Sequence, residues 1–541
     1  MIENPILPGC YPDPSIVRVE DDFYLISSSF SFFPGIPIFH SKNLVNWEQI
    51  GNVLDRKSQL PLTYEMISGG IFAPTIRYHD GMFYVITTNV TMQGNNFIVT
   101  AKDPKGPWSE INVIRGADGI DPSLFFDDDG KAYYTGTTGF GEEPRIWCSE
   151  IDLETMKLVG ERKLLWSGAL KNAASPEGPH LYKKDGWYYL MISEGGTEHF
   201  HAITISRSKE VMGEYEGYKG NPILTHRHLG KNYPICNVGH GDLVELADGS
   251  WYMVMLGSRL MGGYHKILGR ETFIAPVIWE EGWPIVSYGT GKVEYTYPNP
   301  TDLPVGPKKT EEFFDDFNDE KIGFQWNYLG TPYEDFADVK DGHLRLKLLQ
   351  KQVTPWELQG LSADMMERYQ ESGNTKECVS FIGKRQQHLK FEAITKMIFK
   401  PEQEETAGLV VLQNNAHQLR LEVFQNNAGN TCVSCITADS YVENKKLYYR
   451  ESSNNTIEIN DSLDNVLFLK IASDETKYSF YAGADEKNMA IVSENIDGSF
   501  LGSETAGGFV GAYIGMFGSG VSEPKNKQVL FDWFSYKPIH Q

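Results

Sequence analysis

No stretch of about 18 apolar residues occurs in this chain, so it offers no membrane-spanning helix. Its first residues, MIENPILPGCYPDPS, lack the basic segment and apolar core of a secretory leader. These two absences give the expectation of a cytoplasmic protein with no membrane partner. Positive charge is scarce as well. Lys and Arg number 49 against 72 Asp and Glu, a net charge of −23. Such a surface repels nucleic acid and anionic lipid, and it admits a neutral substrate. Cysteine is rare: six in 541 residues do not make a disulfide framework. Cys432 and Cys435 form one C-x-x-C, but no second pair or histidine lies nearby to complete a zinc site.

What the chain does have is aromatic residues and glycine. The 29 Phe, 28 Tyr, 11 Trp and 52 Gly favour β structure with many tight turns. Its length exceeds one comfortable core, so two or more domains are expected.

A motif recurs five times in the first half: Tyr11–Ser29, Phe72–Asn89, Ile120–Thr138, Ser175–Glu194 and Gly239–Leu256. Each copy opens with a short polar knot, mostly containing proline. A short apolar run follows, then an Asp-rich or Asp-Gly turn, then an aromatic strand such as FYLIS, MFYVIT, AYYTG, WYYLMI or WYMVML. Asp-Gly between apolar runs signals a hairpin. The anchors Pro14, Pro74, Pro122, Pro179 and Asp242 recur at about 50–60 residues, a period that predicts a five-bladed β-propeller over residues 1–300. The segments Ile38–Gly51, Ile98–Glu110 and Ile203–Glu216 read as later strands of their blades. First strands of propeller blades line the central channel, so the knots are expected at one rim of it.

The texture changes after Asn299. The stretch 298–310, PNPTDLPVGPKKT, reads as a linker. From 311 to 541 many short alternating segments (HLRLKLL, LKFEAITKMIF, QLRLEVF, VLFLKIAS) predict a β-sandwich. Its opening FFDDFND and closing VLFDWFSYKP are expected to pair as neighbours.

Three knots carry a carboxylate: Asp13 in YPDP, Asp121 in GIDP and Glu177 in SPEGP. Hydrolysing an acetal needs one carboxyl to protonate the leaving oxygen and another to activate water or attack. The prolines around Asp13 suit a base that holds one water in line. Glu177 has the longer reach, and burial beside Asp121 would keep it protonated near neutrality. Asp121 is expected to tune Glu177 and hold substrate. Asp127, Asp128 and Asp129 read as a solvated turn.

At these residues the chain resembles glycoside hydrolase family 43, in particular its two-domain β-xylosidases and α-L-arabinofuranosidases. NPILPGCYPDPS, SFFPGIPIFHSKNLVNW, GGIFAPTIRYHDGMFYV, GIDPSLFFDDDGKAYY, SPEGPHLYKKDGWYYL, GHGDLVE and LGRETFIAPVIWEEGWP carry the resemblance. It implies an all-β chain, a five-bladed propeller followed by a concanavalin-like jelly roll. It also implies an inverting, exo-acting hydrolase that releases terminal β-D-xylose or α-L-arabinofuranose from an oligosaccharide. Under it Asp13 resembles the general base, Glu177 the general acid and Asp121 the residue that adjusts the acid. Arg270 in LGRET resembles a substrate-binding arginine. Phe30, Phe72 and Phe509 resemble aromatics that wall a sugar pocket, although members often carry Trp where Phe72 stands. His240 in VGHGD resembles a channel histidine beside which some members bind calcium through water; no other cofactor is implied. A homo-oligomer is compatible with all of this. Two alternatives stay open on sequence alone: a non-catalytic carbohydrate-binding protein, and a retaining fructan-type hydrolase or transglycosylase on the same propeller.

Overall fold

In the computed structural model the repeat turns close as expected. Asp80 and Asp185 adopt φ of 48° and 50°, and the glycines after them 77° and 73°. Two successive positive φ values make the turn whose twist matches its flanking strands. His79 pairs with Met82 and Lys184 with Trp187 across these turns. In the first copy Val19 pairs with Asp22, so the turn residues are Glu20 and Asp21, one position earlier than the acidic pair suggested. The structure describes all residues except 65, 93–94, 140–141, 172, 307–310, 363–376, 460–462, 521–526 and 540–541.

Five four-stranded antiparallel sheets follow one another along the chain, each with its strands in sequence order. Blade 1 begins with Ser15–Val19, blade 2 with Thr75–His79, blade 3 with Ser123–Phe126, blade 4 with Glu177–Lys184 and blade 5 with Ile235–Glu245. These first strands neighbour one another in ring order, and blade 5 returns to blade 1. This is the predicted five-bladed propeller. Apolar side chains fill the spaces between blades. Ile76, Val85 and Phe97 of blade 2 pack on Ile26, Ile38 and Val53 of blade 1, and Leu181, Leu190 and Ile192 of blade 4 on Phe125, Tyr133 and Ile146 of blade 3. The ring's two ends are tied outside the blades. Ile2–Glu3 pairs with Thr296–Tyr297, and the Asn4 side chain donates to the carbonyls of Ile274 and Glu294.

Asp127 corrects the sequence reading of its loop. It is buried, not solvated, and accepts from Lys183 Nζ at 2.5 Å and Tyr188 OH at 2.6 Å, which ties blade 3 to blade 4.

The C-terminal part is a sandwich of two eight-stranded sheets. Its core includes Leu346, Phe391, Met397, Leu409, Leu421, Leu469, Phe480 and Phe531, drawn from both sheets. The expected pairing of its ends is present: Phe313 lies opposite Tyr536 and Asp315 opposite Phe534. Cys432 and Cys435 lie in one strand, Thr431–Glu443, and all six cysteines are free. One sheet is completed from the propeller side. Phe32–Phe33, between the second and third strands of blade 1, pairs with Tyr328 and Leu329 as its edge. Phe32 stacks on Tyr513 of the sandwich with ring centres 3.9 Å apart, a contact worth about 0.5–1.5 kcal/mol beyond area burial. Residues 307–310 of the expected linker lie outside the described residues.

Candidate active site

The knots share a backbone conformation that aims their side chains. Asp13, Asp121 and His240 all adopt left-handed φ, at 55°, 54° and 45°, and Gly178 adopts 57° at the matching place in blade 4. For non-glycine residues this conformation costs about 1–3 kcal/mol and persists only when the surroundings impose it. By this criterion Gly241, not Asp242, corresponds to the anchors Pro14, Pro122 and Pro179; Ala73, before Pro74, is not left-handed. It also explains why the carboxylate of the fourth knot sits one residue earlier than those of the first and third. Gly178 occupies the place of Asp13 and Asp121, and the preceding Glu177 supplies the carboxyl with a longer arm.

Asp13 is buried and fully engaged. Its Oδ1 accepts from Arg270 Nη1 at 2.9 Å and its Oδ2 from Ser28 Oγ at 2.6 Å, while His240 Nδ1 lies 3.9 Å from Oδ1. Burial alone would raise the carboxyl's pKa. Arg270, His240 and the Ser28 bond outweigh burial, and Asp13 is held below the usual carboxylate range.

Glu177 and Asp121 shift the other way. Burial, then the charge of Asp13, pushes Glu177 up to about 7 against the opposing pull of Arg270. Burial, then the charges of Glu177 and Asp13, raises Asp121 well above its ordinary value. The three carboxyls are therefore within electrostatic reach of one another, although they come from blades 1, 3 and 4. Asp121 Oδ2 accepts the Gly178 N–H at 3.2 Å, which favours its ionised form. The pair behaves as a coupled site that retains a proton near neutrality.

The aromatic candidates converge too. Phe30 and Phe72 meet edge to face at 5.7 Å, Phe72 and Phe509 at 5.8 Å, and Phe30 stacks with Phe509 at 6.2 Å. Phe509 is not in the sandwich core. It is 39% exposed, its N–H donates to Ser68 Oγ of the propeller, and its carbonyl accepts from Arg270 Nη2. The Arg270 guanidinium lies 5.7 Å from the Phe30 ring centre and 5.6 Å from that of Phe509, and it also donates to Thr197 Oγ1. Sandwich and propeller thus both build this wall. A separate cavity of about 750 Å³ lies between the N-terminal segment and the sandwich, and none of the candidate residues lines it.

Sequence reasoning missed several neighbours. Ser28 and Thr197 sit in SSS and GGT runs that carry no signal of their own. His201 packs its ring over Gly239 and bonds Asn237 O through Nδ1; burial holds it neutral, its pKa lowered to about 3. Below the carboxylates, in the channel, lies a buried polar group: Arg77, His180, Tyr182 and Asp242. Only Asp242, a carboxylate among the apolar residues of its strand, carried a signal; Arg77 in TIRYH and His180 and Tyr182 in EGPHLYKK lie in strands already mixed in polarity.

A calcium beside His240 meets a poor environment. Among the described residues no group of three or more His, Cys, Asp or Glu side chains is arranged to hold a metal ion. The nearest carboxylates, Asp13 and Asp242, are each already paired with an arginine. A divalent cation there would face two guanidinium groups, so the residues present do not fit it.

A base held ionised by an arginine that abuts the rings of Phe30 and Phe509, and beside it an acid whose carboxyl is pushed up to about 7, suit acetal hydrolysis. Relatives agree. The profile of Glycosyl hydrolases family 43 matches residues 2–284, and that of the Beta xylosidase C-terminal Concanavalin A-like domain matches 314–537. A "Xylosidase/arabinosidase" of Butyrivibrio fibrisolvens is 44% identical over 99% of both chains. A "Non-reducing end alpha-L-arabinofuranosidase" of Bacteroides ovatus is 37% identical over 99% of this chain and 94% of its own. Among solved structures, a xylan beta-1,4-xylosidase of Bacillus halodurans superposes with a TM-score of 0.86 at 33% identity, over 99% of this chain and 100% of its own. With the propeller, the jelly roll and the carboxylate set already in view, the chain belongs to glycoside hydrolase family 43 and is a glycosidase.

Proposed function

We propose that the protein removes terminal pentoses, β-D-xylose or α-L-arabinofuranose, from the non-reducing ends of xylo-oligosaccharides or arabinose-bearing hemicellulose fragments, with inversion. The observation that carries this reading is the opposite perturbation of two carboxyls in one site. Asp13 is held ionised by its arginine, and Glu177, pushed up to about 7, keeps a substantial share of its proton near neutrality. Relatives whose names include xylosidase and arabinofuranosidase support the choice of sugar.

In this scheme Glu177 donates its proton to the glycosidic oxygen as the bond to the anomeric carbon breaks. Asp13 takes a proton from a water that attacks the opposite face of the oxocarbenium-like centre. Asp121 keeps the shared proton available, because two adjacent carboxylates resist ionising together. Arg270 holds Asp13 and faces substrate hydroxyls, while Phe30, Phe72 and Phe509 pack against the sugar. Side chains suffice for every step, so no cofactor enters. The water-bound calcium that the family resemblance allows at His240 is not part of the scheme, since two arginines already supply positive charge there.

The test is proton NMR of the first anomer released from a 4-nitrophenyl xyloside and from an arabinofuranoside. Inverted anomers are expected. A retained anomer would favour a covalent intermediate and overturn the assignment of Asp13 as base.

A further inference from the structure

Among the described residues no hydrogen bond joins Arg77 to Asp13, Asp121 or Glu177, yet it bonds to His180 on the acid's strand and, through Nη1 at 3.3 Å, to Ser15 Oγ two residues after the base. It comes from the first strand of blade 2. Its Nη1 donates to Asp242 Oδ2 at 2.9 Å, and its Nη2 to Asp242 Oδ1 at 3.3 Å and to His180 Nδ1 at 2.9 Å. Asp242 is fully buried, and its Oδ2 also accepts from Ser15 Oγ at 2.7 Å and the Ile16 N–H at 3.1 Å. Ser15 is two residues after Asp13. His180 is three residues after Glu177, on the same strand. Tyr182, further along it, donates to Asp242 Oδ1 at 2.6 Å and accepts from the Leu243 N–H. One guanidinium–carboxylate pair therefore gathers the first strands of blades 1, 2, 4 and 5.

We propose that Arg77 is a positioning residue: a built-in cation on the propeller axis that sets the spacing of Asp13 and Glu177, in the place where a metal ion would otherwise be needed. A planar fork suits this task better than a point charge. It reaches both Asp242 oxygens and a histidine at once, in a fixed geometry. Without it, Asp242 keeps a buried charge with no cation beside it. That charge is then met by water entry, by protonation of His180 or by movement of the strands. Carboxyl spacing decides whether a water fits between acid and base, so loosening this tie reduces turnover more than it weakens sugar binding. The inference deepens the acid–base reading above and rests on it.

The experiment compares wild type, Arg77→Ala and Asp13→Ala on a 4-nitrophenyl pentoside, with a thermal melt of each. Wild-type kcat and Tm are expected to stay unchanged in a chelator. Arg77→Ala is expected to lose at least about tenfold in kcat with KM little changed, in the range that misplacement of reacting groups costs. Guanidinium chloride at tens of millimolar should restore part of that kcat, and urea at equal concentration should not. Asp13→Ala should stay inactive under both. Loss of wild-type activity in chelator, an Arg77→Ala enzyme with normal kcat, or a loss that guanidinium leaves unchanged would each overturn the proposal. If Arg77→Ala does not fold, Arg77→Lys decides. It keeps the charge but not the fork, and near-normal kcat in it would also overturn the proposal. Should wild type prove inactive on pentosides, the proposed function fails, while Arg77 is still judged by Tm: guanidinium, and not urea, is expected to raise that of Arg77→Ala, and no such rise would overturn the proposal.

Discussion

Gly178 and His240 press so closely together that a methyl group on Gly178 would stand 2.9 Å from His240 Cε1. Gly178 also sits at φ +57°, a conformation a side chain disfavours. His240 in turn lies beside Asp13. Gly178→Ala is therefore expected to displace the histidine, and with it the base, lowering kcat by about tenfold or more. Tm should fall by only a few degrees. Parallel kinetics and thermal melts would check this, and unchanged kcat would contradict it.

Asp13→Ala and Glu177→Ala should each lose at least about a hundredfold in rate on a xylo-disaccharide, in line with acid–base contributions. The two should differ on aryl pentosides. A good leaving group needs little protonation, so Glu177→Ala is partly spared there and Asp13→Ala is not.

The pH profile of kcat/KM should be a bell with its alkaline limb near pH 7. Glu177 works protonated, and with its carboxyl pushed up to about 7, activity falls as pH rises through that value. Asp13 works ionised and is held low, so the acid limb lies below the ordinary carboxylate value of about 3.9 wherever the fold survives. A profile flat from pH 6 to 9 would remove Glu177 as the acid.

Asp121 predicts a conflict between stability and activity. Its carboxyl is raised in the folded state. Such a group favours folding below its unfolded pKa, and that contribution is lost as pH rises through the folded value. Asp121→Asn should thus melt roughly 2–4 °C above wild type at pH 8, with the gap closing near pH 4, while its turnover falls sharply. Scanning calorimetry at the two pH values tests the sign.

The tie between blades 3 and 4 should be costly to break. Asp127→Ala leaves the Tyr188 hydroxyl and Lys183 without their buried acceptor and is expected to cost about 1–3 kcal/mol. Denaturant unfolding of the variant measures it.

Much of the architecture was legible because hairpins announce themselves locally. Asp80-Gly81 and Asp185-Gly186 mark their turns, and the aromatic strands after them fix the blade period. The carboxylates were legible for the same reason, since Asp13 and Asp121 share one register of the repeat and Glu177 stands one residue before it. What joins blades was less visible. Asp127 looks solvated amid two more aspartates, and only its partners 56 and 61 residues away bury it. Arg77 in TIRYH resembles any outward-facing strand residue until the ring closes around it. The long strands Thr431–Glu443 and Lys446–Glu458, the second at a sheet edge and the first beside it, mix polar with apolar residues and so give little alternation to detect.

The short strand Phe32–Phe33 has a wider meaning for how such a molecule can be divided. It leaves blade 1 to finish a sheet whose other strands begin some three hundred positions later. Severing the two halves would bare a pair of large rings and unpaired amides on one fragment and an open β edge on the other, both invitations to self-association. Either half expressed alone is thus expected to aggregate unless that border is redesigned.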